Sequence, residues 1–537
     1  ESSWPTIIFT MFKSCGKTGR FCGPISEGGN LTGASCNAII PLCASSGNYR
    51  DALHFYSRMH HENCVGLDKT TVLCIIKACS NSKAIHYGHH IHNQTFEHGL
   101  ENDIFIGNAI IDMYAKCGSL NDARYIFDNL HSKHDVVLWT AMITAYTDYE
   151  ASNEALSLFQ SMVLHEVKAN KITFASILEA CSNVAAFIEG KLLHLHVIDE
   201  GIEKDLVVCN ALINMYSKCG SIKDGHIVFK NMSKHDVISW NALISGYAQH
   251  GHGKEVIPLF QQMQQQGELP NNHTLVYILS VCANHMLLPL GKLIHALVVG
   301  GRDHMSNVMV LSSLINMYGK CRCLCNALQL FNGMPDTSVV SWNVLISAFL
   351  QDGHGEKALG LFQQMKEEVC IPTRVTFLEI LEACTMVSSL ADGKQIHSII
   401  LSSGLLSTEV TLGNSIINMY AKCGDFKNAF TVFDMMLERN VTTWNTIISV
   451  CNHRNCIKDC LQLFQQMQLE CVMLNELTYI IILSVCNSSS ALLTGREMHA
   501  RLVRSGFERN VAIGTSLISM YNNCGDLKSA RAVFDAI

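Results

Sequence analysis

The stretch ISWNALISGYAQHGHGKEVIPLFQQM runs from Ile238 to Met263, and the chain writes it again three times. Related stretches begin at Val137 (VLWTAMITAY…LFQSM), Val340 (VSWNVLISAF…LFQQM) and Thr442 (TTWNTIISVC…LFQQM). Trp139, Trp240, Trp342 and Trp444 set a super-period of 101 or 102 residues, and the residue after Trp is Thr once and Asn three times. Within the quoted stretch, Ser239 is the expected cap of a helix running from Trp240 toward Gln249, with Leu243, Ile244 and Tyr247 at helical spacing. Gly251 and Gly253 are expected to break it. A second helix carries Val256, Ile257, Leu259, Phe260 and Met263 on one face, and Gly267 and Pro270 are its stop signals.

Working outward, each super-period holds three related units, and the chain parses without gaps from residue 33. The first kind spans 33–68, 136–170, 237–271, 339–373 and 441–475. The second spans 69–103, 171–205, 272–307, 374–409 and 476–510. The third spans 104–135, 206–236, 308–338, 410–440 and 511–537, the last cut short. These make five triads, 33–135, 136–236, 237–338, 339–440 and 441–537. In NMYSKCGSIKDGHIVF of the third kind, Gly220 follows the first helix and Ser221 is the expected cap of the next. A period of 30 to 36 residues means a stacked helical repeat, because two short helices cannot bury a face alone. The fold class read from the residues is all-α, an α-solenoid of about fifteen helix pairs. Residues 1–32 are a lead-in or a decayed unit.

Composition narrows the function. A chain of 537 residues with 48% hydrophobic and 16% charged residues is neither disordered nor a single ordinary core. A net charge of -7 gives no general attraction to nucleic acid or to an anionic membrane. No stretch reaches the roughly 18 to 20 apolar residues of a membrane span, so no membrane partner is expected. Of 24 Cys, ten are repeat-borne: Cys79, Cys181, Cys282, Cys384 and Cys486 form one series, and Cys117, Cys219, Cys321, Cys423 and Cys524 another. No two Cys are spaced as C-x-x-C, so buried reduced thiols are the reading, suited to the cytosol, nucleus or an organelle interior. Three Cys spaced by two, Cys321, Cys323 and Cys325, are read as lying on one helix and unable to converge on a metal.

The chain resembles the pentatricopeptide repeat proteins of plant organelles, specifically the subclass with alternating P, L and S motifs. The Trp-bearing units look like P motifs, ITFASILEACSNVAAFIEGKLLHLHVIDEGIEKD like an L motif, and VCNALINMYSKCGSIKDGHIVFKNM like an S motif. The resemblance covers 33–537 and implies a right-handed superhelix. The W-x-x-L-G-x-x-Y pattern of tetratricopeptide repeats, a peptide-binding scaffold of similar shape, is absent.

Two columns vary informatively. The fifth residue of P units is Asn37, Thr140, Asn241, Asn343 and Asn445; of S units Asn108, Asn210, Ser312, Asn414 and Thr515. In L units it is apolar: Leu73, Ala175, Val276, Leu378 and Ile480. Helix capping would explain Asn, Ser and Thr, but that role is assigned to Ser239, Ser341, Thr443, Thr173, Thr274, Thr376 and Thr478, two residues earlier. The last residue of P units is Asp68, Asn170, Asn271, Thr373 and Asn475; of S units Asp135, Asp236, Ser338 and Asn440. The resemblance implies that the fifth and last side chains of one unit together read one RNA base, a recognised mode for helical repeats. On that resemblance Asn with Asp favours U, Thr with Asn favours A, and Asn with Asn accepts either pyrimidine. The implied single-stranded RNA is 5′-UNUANUYNRYNYYNR-3′, with no base assigned at L units. The family also sandwiches each base between second residues of successive units; Val137, Ile238 and Val340 suit this, Ala34 and Thr442 less so.

No catalytic site is read. His60-His61-Glu62 matches half of a zinc deaminase signature, but no Pro-Cys-x-x-Cys completes it. The series His92, His194, His295, His397 and His499 recurs once per L unit and is read as repeat architecture. No P-loop, G-x-S-x-G or H-E-x-x-H occurs, and no cofactor or metal is expected. The resemblance implies an RNA-binding adaptor in a mitochondrion, or in a chloroplast as second choice, acting in C-to-U editing or transcript processing. Partner proteins of an editing complex would supply a deaminase in trans. The alternative is a helical scaffold that binds protein.

Overall fold

The computed structural model describes residues 33–537 except 62–66, 98, 101–102, 131–134, 302–306, 408, 455, 487–491, 506–509 and 537. The lead-in 1–32 and Glu62 of the His-His-Glu stretch therefore lie outside the described residues. Among the described residues there are thirty α-helices, one short 3-10 turn at Leu405–Ser407 and no strand. The chain divides into two compact units, residues 1–270 and 271–537. Each is an all-α solenoid of helix pairs.

In both, the first helices of neighbouring repeats pack side by side, while each second helix packs on its own first helix and on the next one. First helices are almost all 13 residues long, for example Val136–Asp148, Lys171–Asn183 and Leu206–Lys218. The second helices of S repeats are shorter, 10 residues in Leu120–Asn129 and Ile222–Asn231, against 13 in Ser152–Leu164 and Phe187–Asp199. That missing turn is why S repeats have the shortest period.

The helices start earlier than the sequence reading placed them. The helix of the quoted stretch is Val237–Gln249, not one beginning at Trp240, and its N-cap is Asp236. Ser239 is its third residue. The Ser239 N–H donates to Asp236 Oδ1 at 2.8 Å, and Asp236 N–H donates back to Ser239 Oγ at 3.3 Å. This is a reciprocal capping box in which a short hydroxyl takes the place usually held by Glu or Gln. The same correction applies to Thr173, Thr274, Ser341, Thr443 and Thr478, whose caps are Asn170, Asn271, Ser338, Asn440 and Asn475. At Thr376 the cap is Thr373, whose N–H donates to Thr376 Oγ1 at 3.0 Å. Gly251 sits at φ +76 in the turn, where a left-handed backbone is needed, but Gly253 opens the second helix rather than breaking the first. Ser221 stands at the cap position of Ile222–Asn231, with its hydroxyl donating to Asp224 rather than capping the backbone.

The repeat-borne residues are seams between helices. Trp139, Trp240, Trp342 and Trp444 are buried, and each meets edge-on a Phe from the preceding S repeat: Phe127, Phe229, Phe331 and Phe433, at 4.5 to 4.9 Å between centroids. The recurring Trp thus closes each S-to-P boundary by burial of a large ring. The L-to-S boundary is closed differently. Nδ1 of His92, His194, His295, His397 and His499 lies 2.8 to 3.0 Å from the hydroxyl of Tyr114, Tyr216, Tyr318, Tyr420 and Tyr521. Beside each pair a glycine takes the weight of a methionine: a Cβ on Gly190 would stand 2.4 Å from Met215 Sδ, and Gly88, Gly291, Gly393 and Gly495 meet Met113, Met317, Met419 and Met520 alike. Burial pushes the thiols of Cys79, Cys181, Cys282 and Cys384 up to about 12, so they are apolar filler and not thiolates.

Candidate nucleic-acid interface

The last residue of one repeat caps the first helix of the next, so the last column of the sequence is a row of N-caps. Asp68 accepts from Thr71 N at 2.7 Å, and Asp135 from Val137 N at 2.9 Å. The column's polar character therefore has a local structural cause, as N-caps favour Asp, Asn, Ser and Thr. Residues at the end of L repeats do the same: Asp103, Asp205, Asn307 and Asn510 all cap through their side chains.

The fifth column is different. Its residues stand one turn into the first helix, too far along to cap it, so capping does not account for Asn, Ser or Thr there. Instead, in several repeats the fifth side chain reaches the cap that ends the same repeat. Asn210 Nδ2 donates to Asp236 Oδ1 at 3.4 Å, Asn343 Nδ2 to Thr373 Oγ1 at 3.4 Å, and Asn445 Nδ2 to Asn475 Oδ1 at 3.1 Å. Two residues some thirty apart in sequence thus stand together at the N-terminal edge of neighbouring first helices. In Asn343 the amide also accepts from Thr376 Oγ1 at 2.7 Å, joining it to the capping box. Thr140 follows another path: its hydroxyl donates to the Val136 carbonyl at 2.7 Å and lies 2.6 Å from Thr173 Oγ1, which belongs to the box of its partner Asn170.

Electrostatics at this edge follow from the same contacts. Burial would raise the Asp236 carboxyl, but donation from the Ser239 N–H and hydroxyl and from Asn210 outweighs it and holds the group below its ordinary value. Because a carboxylate only accepts, Asn210 must turn Nδ2 toward it, and its Oδ1 is left buried without a protein donor. The Oδ1 atoms of Asn108, Asn414 and Asn445 are in the same condition.

Coverage varies along the column. Asn445 is 3% exposed, Ser312 6% and Thr140 8%; Asn37, Asn108, Asn210, Asn241, Asn343 and Asn414 are half-buried, and Thr515 is exposed. Among the second residues, Val137, Ile238 and Val340 are exposed on this edge, as a stacking role requires. The fifth residues of L repeats, Leu73, Ala175, Val276, Leu378 and Ile480, are half-buried and bring no polar group.

Cys321, Cys323 and Cys325 do not lie on one helix. Cys321 ends Val308–Lys320, Arg322 turns the chain at φ +58, and Cys323 and Cys325 begin Leu324–Asn332. No group of three His, Cys, Asp or Glu suited to a metal occurs among the described residues. Sequence reasoning missed the capping boxes, although their signal, Asp or Asn three residues before Ser or Thr, is plain once the pair is sought.

The PPR repeat family is matched at residues 134–183, 235–284, 337–385 and 439–488, and the PPR repeat at 34–64, 108–134, 207–237 and 414–441. A chloroplastic pentatricopeptide repeat-containing protein of Arabidopsis thaliana is 34% identical over 435 residues, covering 81% of this chain and 70% of the relative. A mitochondrial one from the same plant is 32% identical over 465 residues, covering 86% and 66%. Against another chloroplastic relative, 32% identical over 533 residues, the shares are 99% and 55%. The chain thus spans from about half to 70% of the length of these curated relatives. Among solved structures, the pentatricopeptide repeat protein PPR10 from maize superposes with a TM-score of 0.64 at 17% identity, over 95% of this chain and 79% of that one. Its complex with an 18-nt psaJ RNA element gives 0.63, over 98% and 78%. With repeat models matched over more than half of the chain and a relative 34% identical over 81% of it, this chain belongs to the pentatricopeptide repeat family.

Proposed function

We propose that this chain is an adaptor that binds single-stranded RNA in a sequence-specific way, reading one base per P or S repeat through the paired fifth and last side chains. The observation that carries the reading is their meeting at the start of the next first helix: Asn210 with Asp236, Asn343 with Thr373, Asn445 with Asn475. Stability alone does not ask for an amide there. A buried carbonyl without a donor costs about 1 to 3 kcal/mol, which an apolar side chain avoids, as the L repeats do. The exposed second residues Val137, Ile238 and Val340 supply apolar walls for the bases.

The likeness to PPR10, solved with an RNA element, supports RNA as the ligand class. Chloroplastic and mitochondrial relatives support an organellar site of action. Within an organelle, the P, L and S rhythm favours a role in C-to-U editing or transcript processing, with the chemistry supplied by a partner protein. The test is affinity for 5′-UNUANUYNRYNYYNR-3′ against a scrambled RNA of equal length. Selective binding of the first supports the reading, and equal affinity for both removes it.

A further inference from the structure

In three L repeats an ion pair joins the first residue to the last: Lys69 with Asp103 at 2.5 Å, Lys171 with Asp205 at 3.5 Å and Arg374 with Glu409 at 3.1 Å. Each bridge ties the start of one first helix to the cap of the next. In the L repeat 272–307 both ends are amides, Asn272 and Asn307, which form no ion pair. There the structure has a half-open cavity of about 220 Å³, lined by Asn271, Asn272, His273, Val276, Asn307 and Met309. These are base-slot positions: His273 and Met309 are second residues of successive repeats, Val276 is the fifth residue and Asn307 the last. His273 and Met309 are exposed, so an imidazole and a thioether form the two walls.

We infer that the L repeat 272–307 reads a pyrimidine at the eighth base, the position to which L repeats otherwise contribute nothing; this rests on the RNA reading above. The base inserts between the His273 ring and the Met309 side chain, with Val276 against its edge. Asn307 supplies the polar contact. Its Oδ1 is held by the cap, accepting from Met309 N at 3.0 Å and Val310 N at 3.2 Å. The amide therefore offers donors only. A donor-only partner favours an edge rich in acceptors: O2 and O4 of uracil, or O2 and N3 of cytosine. On that edge each pyrimidine presents two acceptors and one donor, whereas adenine presents only N1 and guanine only O6 as acceptors. Asn307 is thus a specificity residue that the apolar fifth position hides.

The experiment measures affinity for four RNAs of the implied sequence that differ only at the eighth base, and for four that differ only at the fourth. C and U at the eighth base should bind about fivefold tighter than A and G, the worth of one net hydrogen bond. Asn307→Asp keeps the cap, as Asp103 and Asp205 show, but replaces donors by acceptors. It should erase the pyrimidine preference while leaving the melting temperature and the fourth-base ranking unchanged. The double change Asn272→Lys with Asn307→Asp installs the bridge of the repeat 69–103 and should flatten the eighth base equally. A flat eighth base in the unaltered protein, with a ranked fourth base, overturns this inference and leaves the RNA reading standing. Flat results at both positions overturn both. A pyrimidine preference that survives Asn307→Asp removes Asn307 from the role.

Discussion

Asp236 both caps the helix Val237–Gln249 and stands against Asn210, so its replacements separate stability from readout. Asp236→Ala removes the capping box with Ser239, worth about 1 kcal/mol, and the acceptor for Asn210 Nδ2, worth about 1 kcal/mol more. The expected loss is about 2 kcal/mol, concentrated in the first turn of that helix, and hydrogen exchange of residues 237–241 should quicken accordingly. Asp236→Asn keeps an acceptor for the Ser239 N–H and reproduces an arrangement the chain already contains, Asn445 with Asn475, whose cap box with Thr478 is intact. Its stability and exchange should change by less than about 0.5 kcal/mol. Readout should still move. The Asn–Asp pair accepts a donor edge, whereas Asn–Asn offers both donor and acceptor, so preference at the sixth base should relax from U toward either pyrimidine. Four RNAs differing at the sixth base, titrated against both variants, decide it. If Asp236→Asn and Asp236→Ala leave the four-base ranking as it was, the last column is a row of caps and nothing more.

Thr140→Asn should turn preference at the fourth base from A toward a pyrimidine by about tenfold in relative affinity, while Ala175→Asn in the next repeat should leave the ranking in place; binding to four RNAs tests both. Burial raises the Glu379 carboxyl to about 7, a shift that Ser347 only partly offsets. A raised carboxyl favours the protonated fold, so stability should be fullest below about pH 4.5 and fall as pH rises to about 7; Glu379→Gln should remove this slope, worth about 1 to 2 kcal/mol after allowing for partial exposure, in urea titrations at pH 5 and 8. In the native state, Cys325 and Cys471, which are exposed, should alkylate at pH 8 far faster than Cys79, Cys181, Cys282 and Cys384, held as thiols by burial; peptide mass mapping reads this, and equal rates would contradict the packed seams.

Helix pairs were legible in the chain because Trp, His, Gly and Cys recur at one interval, and recurrence in a repeat means a seam. The partners were not legible. Nothing in His92 or Tyr114 alone names the other, since the contact crosses from a second helix to the next first helix. The start of the first helix in most P and L repeats was misplaced for a physical reason. Ser and Thr serve both as caps and as third residues, and the sequence reading gave Ser239 the commoner role. The triad boundaries follow from the repeats themselves, whereas the base-reading role of the two columns rests on the resemblance to the family. What alignment could not supply is that Asn210 touches Asp236, because the two are neighbours only after the helices stack.

That contact also bears on why the last column is so restricted. A residue that must cap a helix is drawn from Asp, Asn, Ser and Thr, whatever else it does. L repeats obey the same rule through Asp103, Asp205, Asn307 and Asn510. The cap alone therefore cannot mark a reading repeat. The fifth residue can, since its position in the second turn has no capping duty and burial there penalises an amide. A polar fifth residue is kept in every P and S repeat, buried or half-buried in all but Thr515, and dropped in every L repeat. Recognition in this chain is thus best sought where a fifth-position amide is left with a buried, unsatisfied carbonyl, as at Asn108, Asn210, Asn414 and Asn445. Replacing Asn414 by Val should raise the local stability of the S repeat 410–440 by about 1 kcal/mol while flattening the twelfth base. A variant that is both less stable and unchanged in its ranking of bases would show that the amide serves the fold.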